Sequence, residues 1–179
     1  MMQAAELVLS VLGSSAKPLD GRTAIQKIVY FASIKTGVDV GYTPHFYGPY
    51  SSVVAQTVEN LESTGYITEK SRLTTHDRIM YSYSLSDDGA EMVDLIRKRE
   101  RNNYMKAKKV VDTCRKIVKN NINVLSWAAK VYFLLSQKGS EISYDEVVEK
   151  GKEFGWQLSS KEIDSGAKLL VGLGLARKS

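Results

Sequence analysis

The fold of this chain is decided by residues 45–85, which read HFYGPYSSVVAQTVENLESTGYITEKSRLTTHDRIMYSYSL. The residues after Ser51 are predicted to form a helix whose inward face carries apolar side chains at helical spacing. Gly65 ends this helix, because glycine readily takes the left-handed conformation that closes a helical segment. The quoted stretch therefore begins with an aromatic loop and continues into a helix of about three turns.

The second half of the stretch predicts a hairpin. From Ile79 to Leu85, large apolar residues alternate with Met80 or serine, which is the period-two pattern of a half-buried strand. The polar residues 75–78 form the tip of the hairpin, and Ser86 caps the helix that follows. A helix, a two-stranded ribbon and a capped helix give the layout of a winged helix.

The whole chain is predicted to be mainly α, in the α+β class. A winged helix-turn-helix with a two-stranded β wing occupies residues 1–96, a long basic connecting helix occupies 97–121, and a C-terminal helical bundle occupies 122–179. The connecting helix is predicted as one piece because no glycine or proline occurs between Ala90 and Asn121. Two serine-led capping boxes begin later helices, at Ser143 and Ser159.

The net charge of +5 is distributed unevenly. Residues 1–96 carry 7 Lys/Arg and 11 Asp/Glu, whereas residues 97–119 carry 10 and 2, and residues 120–179 carry 8 and 7. One segment therefore supplies the basic excess. Such a stripe is the electrostatic footprint of nucleic-acid binding, and it is equally common on a long solvated helix.

The composition is that of a soluble globular protein in the cytoplasm. No apolar run approaches the roughly 18–20 residues that cross a bilayer, and the N-terminus lacks a signal-peptide pattern. Cys114 is the only cysteine, so no disulfide framework exists and a reducing compartment is expected.

Catalytic chemistry finds little support in the sequence. The only histidines are His45 and His76, and no spacing of Cys, His and carboxylates suits a metal. We therefore expect no enzyme, no catalytic residue, no metal and no cofactor. Cys114 has two interpretations: a nucleophile whose pKa is lowered by the neighbouring Arg115 and Lys116, or a packed structural cysteine.

An apolar seam follows the basic segment, at Ala107, Val111, Cys114 and Val118. Its steps of four, three and four residues resemble a short heptad repeat. Either this seam pairs across a homodimer, or it packs against the rest of its own chain.

The aromatic loop also has two interpretations. In the functional one, His45, Tyr47 and Tyr50 face a partner, or hold an anion beside the N-terminus of the following helix. In the structural one, Gly48 makes a turn, Pro49 stiffens it, and the tyrosines plug the core next to Phe31.

Double-stranded DNA is the partner that a winged helix and a basic segment indicate together. The expected base contacts come from the helix after Ser51, and the expected phosphate contacts come from the wing and the basic helix. The predicted residues are Ser52, Gln56 and Asn60 for bases, Lys70, Arg72, His76 and Arg78 in the wing, and Arg97, Lys98, Arg99 and Arg101 in the basic helix. Two carboxylates, Glu59 and Glu62, oppose this assignment because the same helix carries no Lys or Arg.

The motifs IQKIVYF at residues 25–31 and HFYGPYS at residues 45–51 resemble the YwgA-like family of bacterial and archaeal proteins. They are similar, more distantly, to the Panacea (SocA-like) antitoxin domain. YSLSDDG at residues 83–89 resembles the wing-to-helix junction of the MarR and PadR repressors. The first two resemblances imply no catalytic residue.

Two functional hypotheses follow. The first is a DNA-binding transcriptional regulator of winged-helix type, working as a dimer. The alternative is a protein-interaction module of antitoxin or adaptor type, in which the winged helix serves as a scaffold and no membrane is involved. The sequence also contains a weak internal similarity, which raises the question whether the C-terminal helical domain is a degenerate second copy. Gly65-Tyr66-Ile67 resembles Gly174-Leu175-Ala176. Val29-Tyr30-Phe31 before Gly37 resembles Val131-Tyr132-Phe133 before Gly139.

Overall fold

The structure is a computed structural model, and it describes residues 1–119 and 121–178. Asn120, in the predicted connecting helix, and Ser179, in the predicted C-terminal bundle, lie outside the described residues. The predicted mainly α class with a minor β component is confirmed. In chain order the elements are α1 (Ala4–Gly13), β1 (Leu19–Asp20), α2 (Arg22–Thr36), α3 (Ser52–Ser63), β2 (Ile67–Leu73), β3 (Ile79–Leu85), α4 (Asp87–Arg99), α5 (Arg101–Val118), α6 (Asn123–Lys138), α7 (Tyr144–Glu153) and α8 (Ser160–Gly172).

The chain packs into two compact units, each discontinuous in sequence. Unit 1 contains residues 1–41 and 51–112, and unit 2 contains residues 42–50 and the chain from Thr113 onward. The aromatic loop thus packs with the later part of the chain, although it lies between two helices of unit 1. The predicted domain boundaries at residues 96 and 121 stay a prediction.

Unit 1 is built around a three-stranded antiparallel sheet in the order β1-β3-β2. Strand β3 lies in the centre, with Leu19 opposite Tyr83 on one side and Ile67 opposite Leu85 on the other. The predicted hairpin is confirmed, and its tip turns at Asp77, which has a φ of +54°. The alternation of burial holds only near the base, since Tyr83 is buried whereas Ile79 is 61% exposed at the tip.

Tyr83 keeps its hydroxyl hydrogen-bonded within the sheet. It donates to Glu69 Oε2 at 2.5 Å, and Arg22 Nε donates to the Tyr83 oxygen at 3.0 Å. Burial, together with the bond to Glu69, raises the pKa of Tyr83 to about 12. The Arg22 guanidinium also lies 4.2 Å above the Tyr81 ring, so the first turn of α2 is fastened to the sheet.

The start of α3 is held by a buried polar clasp that the sequence did not predict. Gln26 Nε2 of α2 donates to the Ser51 carbonyl at 2.9 Å, and the Ser51 N–H donates to Gln26 Oε1 at 3.0 Å. The Ser51 hydroxyl accepts the Val54 N–H and donates to the Val40 carbonyl. Ser51 is fully buried, and these contacts satisfy every one of its polar groups.

The predicted connecting helix needs correction. The long connecting helix is two helices, because the backbone leaves the helical conformation at Glu100, with φ −115° and ψ 38°. The Glu100 N–H still donates to Ile96 and its carbonyl still accepts from Tyr104, so the break costs no backbone hydrogen bond there. Asp20 lies in β1, and Gly21 takes the N-cap position of α2.

Unit 2 contains the close packing of α6 against α8. A Cβ on Gly166 of α8 would lie 2.9 Å from the Ala128 nitrogen of α6, so the two backbones approach as only glycine allows. Phe133, Phe154 and Trp156 form an aromatic cluster beside this contact. The predicted capping boxes at Ser143 and Ser159 are confirmed. Among the described residues, no helix is both long and apolar enough to cross a membrane.

We predict that Gln26→Ala lowers the free energy of unfolding by about 2–4 kcal/mol, because it leaves the buried N–H of Ser51 without a partner and removes one of the two hydrogen bonds to the Ser51 carbonyl. Urea unfolding followed by circular dichroism measures this change. Gln56→Ala, the same substitution at an exposed site on α3, should stay within about 0.5 kcal/mol of wild type. Equal stability of the two variants would show that the clasp does not hold α3.

Candidate nucleic-acid interface and aromatic loop

The three predicted base-contacting residues share the exposed side of α3. Ser52, Gln56 and Asn60 are all exposed. Gln56 Nε2 donates to Asn60 Oδ1 at 3.2 Å and lies 3.4 Å from Glu59 Oε2, so the amides and a carboxylate bond to one another. Glu62 is exposed on the same helix. The face that would read bases is therefore polar and acidic.

The β2–β3 hairpin, which is the predicted wing, presents its four predicted residues to solvent, but they are not equally available. Lys70 and Arg78 form no ion pair among the described residues. Arg72 pairs with Asp20 Oδ2 at 3.1 Å, which joins β2 to β1. His76 Nδ1 lies 3.2 Å from the Thr75 hydroxyl at the tip. Lys70 and Arg78 are thus the free cations of the wing.

The predicted cations at the end of α4 divide in the same way. Arg97 pairs with Asp94 at 3.0 Å, and Arg99 pairs with Glu6 of α1. Lys98 and Arg101 are exposed and have no ion pair within the described part of the chain. Two of these four residues are therefore already paired, Arg97 within α4 and Arg99 between α4 and α1.

A larger set of free cations lies on α5, and the sequence reasoning left it out of the predicted interface. Helix α5 has 18 residues, so its basic side extends for about 27 Å. One lysine, Lys108, is paired with Asp112 at 2.6 Å. Besides the predicted Arg101, the exposed cations without an ion pair among the described residues are Lys106, Lys109, Arg115 and Lys116 on α5 and Lys119 just after it. The apolar seam was the available signal, because the residues between its members must face outward.

The seam itself is buried within the chain. Ala107 and Val111 have no exposed surface, and Cys114 and Val118 are 2% and 7% exposed. The interpretation in which this seam pairs across a homodimer is therefore wrong, since its side chains already pack against their own chain. A dimer formed by another surface stays a prediction.

The aromatic loop of unit 2 projects its largest side chains into solvent. Phe46 is 67% exposed and Tyr47 is 61% exposed, and their rings meet edge to face with centroids 5.0 Å apart. Tyr50 is 36% exposed and lies against the exposed His45, with ring centroids 5.3 Å apart. The interpretation in which the tyrosines plug the core is wrong, because backbone contacts rather than ring burial hold the loop.

Those backbone contacts come from three places. Thr43 and Tyr50 exchange two hydrogen bonds, of 2.9 and 2.8 Å, and the Gly48 N–H donates to the His45 carbonyl at 2.9 Å. Trp156 Nε1 donates to the same carbonyl at 2.7 Å. Gly48 has a φ of +97°, which confirms the predicted turn. The interpretation in which the loop holds an anion beside the start of α3 stays a prediction. The Val54 N–H at that helix start does not point to a free anion site, because it is already bonded to the Ser51 hydroxyl.

Cys114 is a packed residue. Burial raises the pKa of its thiol to about 12, which is opposite to the lowering that the neighbouring cations suggested. Arg115 and Lys116 point to solvent on the exposed side of α5, so they do not stabilise a thiolate. Among the described residues, no group of three or more Cys, His and carboxylate side chains is placed to hold a metal ion.

Comparison of the sequence with protein-family models finds no match, and comparison with curated proteins finds none either.

We predict that Cys114 reacts with a thiol reagent at about pH 8 at least 100-fold more slowly in the native protein than in urea, because the native thiol stays protonated and covered. Release of the coloured thiol from Ellman's reagent measures both rates. Unfolded protein is the internal control, since it should titrate as one thiol per chain. Rapid native reaction would mean that Cys114 is accessible and activated.

Proposed function

We propose that this protein is a DNA-binding transcriptional regulator of winged-helix type, with double-stranded DNA as its partner. The observation that carries the proposal is the element order α1-β1-α2-α3-β2-β3 with the sheet order β1-β3-β2. In that arrangement α3 takes the place of a recognition helix, and the β2–β3 hairpin takes the place of a wing. The resemblance to the MarR and PadR repressors at residues 83–89 supports the same assignment.

Phosphate contacts supply most of the proposed affinity. The wing offers Lys70 and Arg78, and the α4–α5 region offers Lys98 and Arg101. The other exposed cations of α5 extend this surface along one helix. Each phosphate neutralised releases condensed counterions, so binding must weaken steeply as salt rises. Cations already paired within the protein contribute less, because binding DNA would first require their ion pairs to break.

Base contacts are expected to be few. Ser52 lies at the exposed start of α3, whereas Gln56 and Asn60 must exchange their mutual hydrogen bond for bonds to base edges. Glu59 and Glu62 repel nearby phosphates, so α3 has to approach the groove with these carboxylates turned away from the backbone. We therefore expect modest discrimination between DNA sequences and strong dependence on ionic strength.

We predict that affinity for a DNA duplex falls by orders of magnitude between about 50 and about 200 mM salt. Replacing Lys70 and Arg78 with glutamate should weaken binding at least about tenfold and reduce the slope of log K against log salt by about two. Fluorescence anisotropy with a labelled duplex measures both quantities. Lys70 and Arg78 are preferred to Arg72 because the Arg72 ion pair joins two strands.

The matched control is the double variant Lys161→Glu/Lys168→Glu. It makes the same change in net charge at two exposed residues of α8. If both double variants weaken binding equally, net charge rather than the wing attracts the DNA. Absence of binding to any duplex even at low salt would remove the proposal.

A second candidate function is a protein-interaction module of antitoxin or adaptor type. The specific observation in its favour is the exposure of Phe46 and Tyr47, because exposed aromatics are favoured anchors in protein interfaces. The acidic face of α3 also suits a protein partner better than DNA. The resemblance to the Panacea antitoxin domain points in the same direction.

We predict that Phe46→Ala/Tyr47→Ala leaves the free energy of unfolding within about 0.5 kcal/mol of wild type, since both rings are exposed. If the regulator proposal holds, the variant also keeps its affinity for DNA. Urea unfolding and the anisotropy titration measure these two outcomes. A variant that retains DNA binding but loses a co-purifying protein partner would favour the interaction module.

A further inference from the structure

The β2–β3 hairpin carries two large apolar side chains at its outer end. Leu73 is the last residue of β2, and it lies opposite Ile79, the first residue of β3. They are 69% and 61% exposed, and no other leucine or isoleucine among the described residues is as exposed. Residues directly opposite each other in an antiparallel ladder lie on the same face, so these two side chains form one apolar pair.

The backbone closes directly beyond the apolar pair. The Thr74 N–H donates to the Arg78 carbonyl at 2.8 Å, and the Asp77 N–H donates to the Thr74 carbonyl at 3.1 Å. The Arg78 N–H donates to the Thr74 hydroxyl at 3.2 Å. At the other end of β2, Ile67 is 2% exposed, and the six steps from Ile67 to Leu73 span about 20 Å. A hydrogen-bonded ribbon therefore presents the pair far from the core.

The apolar pair adds little to the core of unit 1. Along its face of the ribbon, Tyr83 is 1% exposed, Tyr81 is half-buried under the Arg22 guanidinium, and Ile79 is mostly exposed. The core thus ends before the apolar pair is reached. Because a side chain stabilises a fold in proportion to the apolar area that it buries, the free energy of folding gains little from these two residues.

The charges around the apolar pair are mainly positive. Residues 70–79 contain three Lys/Arg and one acidic residue, Asp77 at the turn. Lys70 and Arg72 lie on the other face of the ribbon from Leu73, since successive side chains of a strand alternate between its faces. Lys70 and Arg78 form no ion pair among the described residues. An apolar point with free cations beside it suits a ligand that has an apolar interior and an anionic border.

Double-stranded DNA fits this description better than a protein surface does. A stable protein interface uses roughly 20–30 residues on each side, which two side chains at the end of a narrow ribbon do not provide. Proteins that bind the minor groove of DNA insert leucine or isoleucine side chains between stacked bases, while cations contact the phosphates. If α3 lies in the major groove, the hairpin beside it reaches the neighbouring minor groove.

We propose, on the basis of the DNA-binding function above, that Leu73 and Ile79 form an apolar wedge that enters the minor groove and bends the duplex. The minor groove is about 6 Å wide, so it must open to admit the tip of a two-stranded ribbon. Apolar side chains that enter between base pairs open the groove by unstacking them, which bends the duplex toward the major groove.

The wedge also supplies a source of sequence preference that α3 lacks. Unstacking costs least at flexible pyrimidine–purine steps such as TpA, and more in stiff A-tracts. The protein therefore selects DNA by how readily it deforms, in addition to the few base contacts that the acidic face of α3 allows.

Two duplexes with a central TpA step test the wedge with the full-length protein. One carries a donor and an acceptor fluorophore at its ends, and the other carries 2-aminopurine in place of the adenine of that step. When the wild-type protein binds, we expect energy transfer to rise because the ends approach each other. We also expect 2-aminopurine to brighten, because unstacking relieves the quenching by its neighbours.

Leu73→Thr/Ile79→Thr removes the apolar wedge and keeps residues that suit a strand. This variant should lose both signals and bind the TpA duplex at least about tenfold more weakly, with no remaining preference for it over an A-tract duplex. The slope of log K against log salt should not change, because no phosphate contact is removed. That unchanged slope distinguishes the wedge from the cations of the hairpin.

The matched control is Ile122→Thr/Val171→Thr. It removes two other exposed apolar side chains, 51% and 43% exposed, that lie outside the proposed DNA surface. This variant should bind and bend both duplexes as wild type does. Thermal unfolding compares all variants with wild type, and Ile79→Thr alone carries the test if the double hairpin variant does not fold.

The wedge is overturned if the wild-type protein binds the duplexes without changing either signal, or if Leu73→Thr/Ile79→Thr bends them equally. The DNA-binding function would stand in both cases. Absence of binding to any duplex at low salt removes the function and the wedge together. Binding to phosphatidylserine vesicles that the double hairpin variant abolishes, with its affinity for DNA unchanged, would assign the apolar pair to a membrane surface and also overturn the wedge.

Discussion

The placement of α3 depends on one buried pair, the Gln26 carboxamide and the backbone of Ser51. Residues 37–51 separate α2 from α3, so sequence proximity alone does not fix the angle between these two helices. The clasp restricts this angle, because one side chain of α2 bonds to both the N–H and the carbonyl of Ser51 at the entry to α3. An amide that bonds twice to one residue restricts position and direction together, which a single apolar contact does not. The clasp holds the start of α3, and the buried side chains of Val54 and Leu61 hold the rest of the helix against unit 1.

That fixed position determines which residues can act on a partner. With Val54 and Leu61 buried, α3 must present its carboxylates and amides outward. The cations lie elsewhere, on the hairpin and on α4 and α5. The molecule therefore separates the surface that would attract DNA from the surface that would read it. If the protein binds DNA as proposed, this separation predicts weak base discrimination together with strong attraction to phosphates.

Local chemistry is what the sequence predicted well. The hairpin, the closing glycine Gly65 and the serine capping boxes depend on neighbouring residues, so one short segment contains the whole signal. The position of the rings in the aromatic loop was harder to predict from the sequence. The sequence left two positions open for its rings, exposed toward a partner or buried in the core, and the backbone of the loop is anchored by Trp156, more than a hundred residues away in the chain. Arg72 and Arg99 are engaged for a similar reason, since their partners Asp20 and Glu6 are distant in sequence. The break at Glu100 had no glycine or proline to mark it.

The most direct test of the DNA-binding account is amide hydrogen exchange of the full-length protein, measured with and without a short DNA duplex at low salt. Exchange locates the contact surface residue by residue and does not depend on any substitution. The account predicts slower exchange in the hairpin around residues 70–78 and along residues 97–119, with residues 42–50 unchanged. Slower exchange confined to residues 42–50, or no change anywhere, would contradict it.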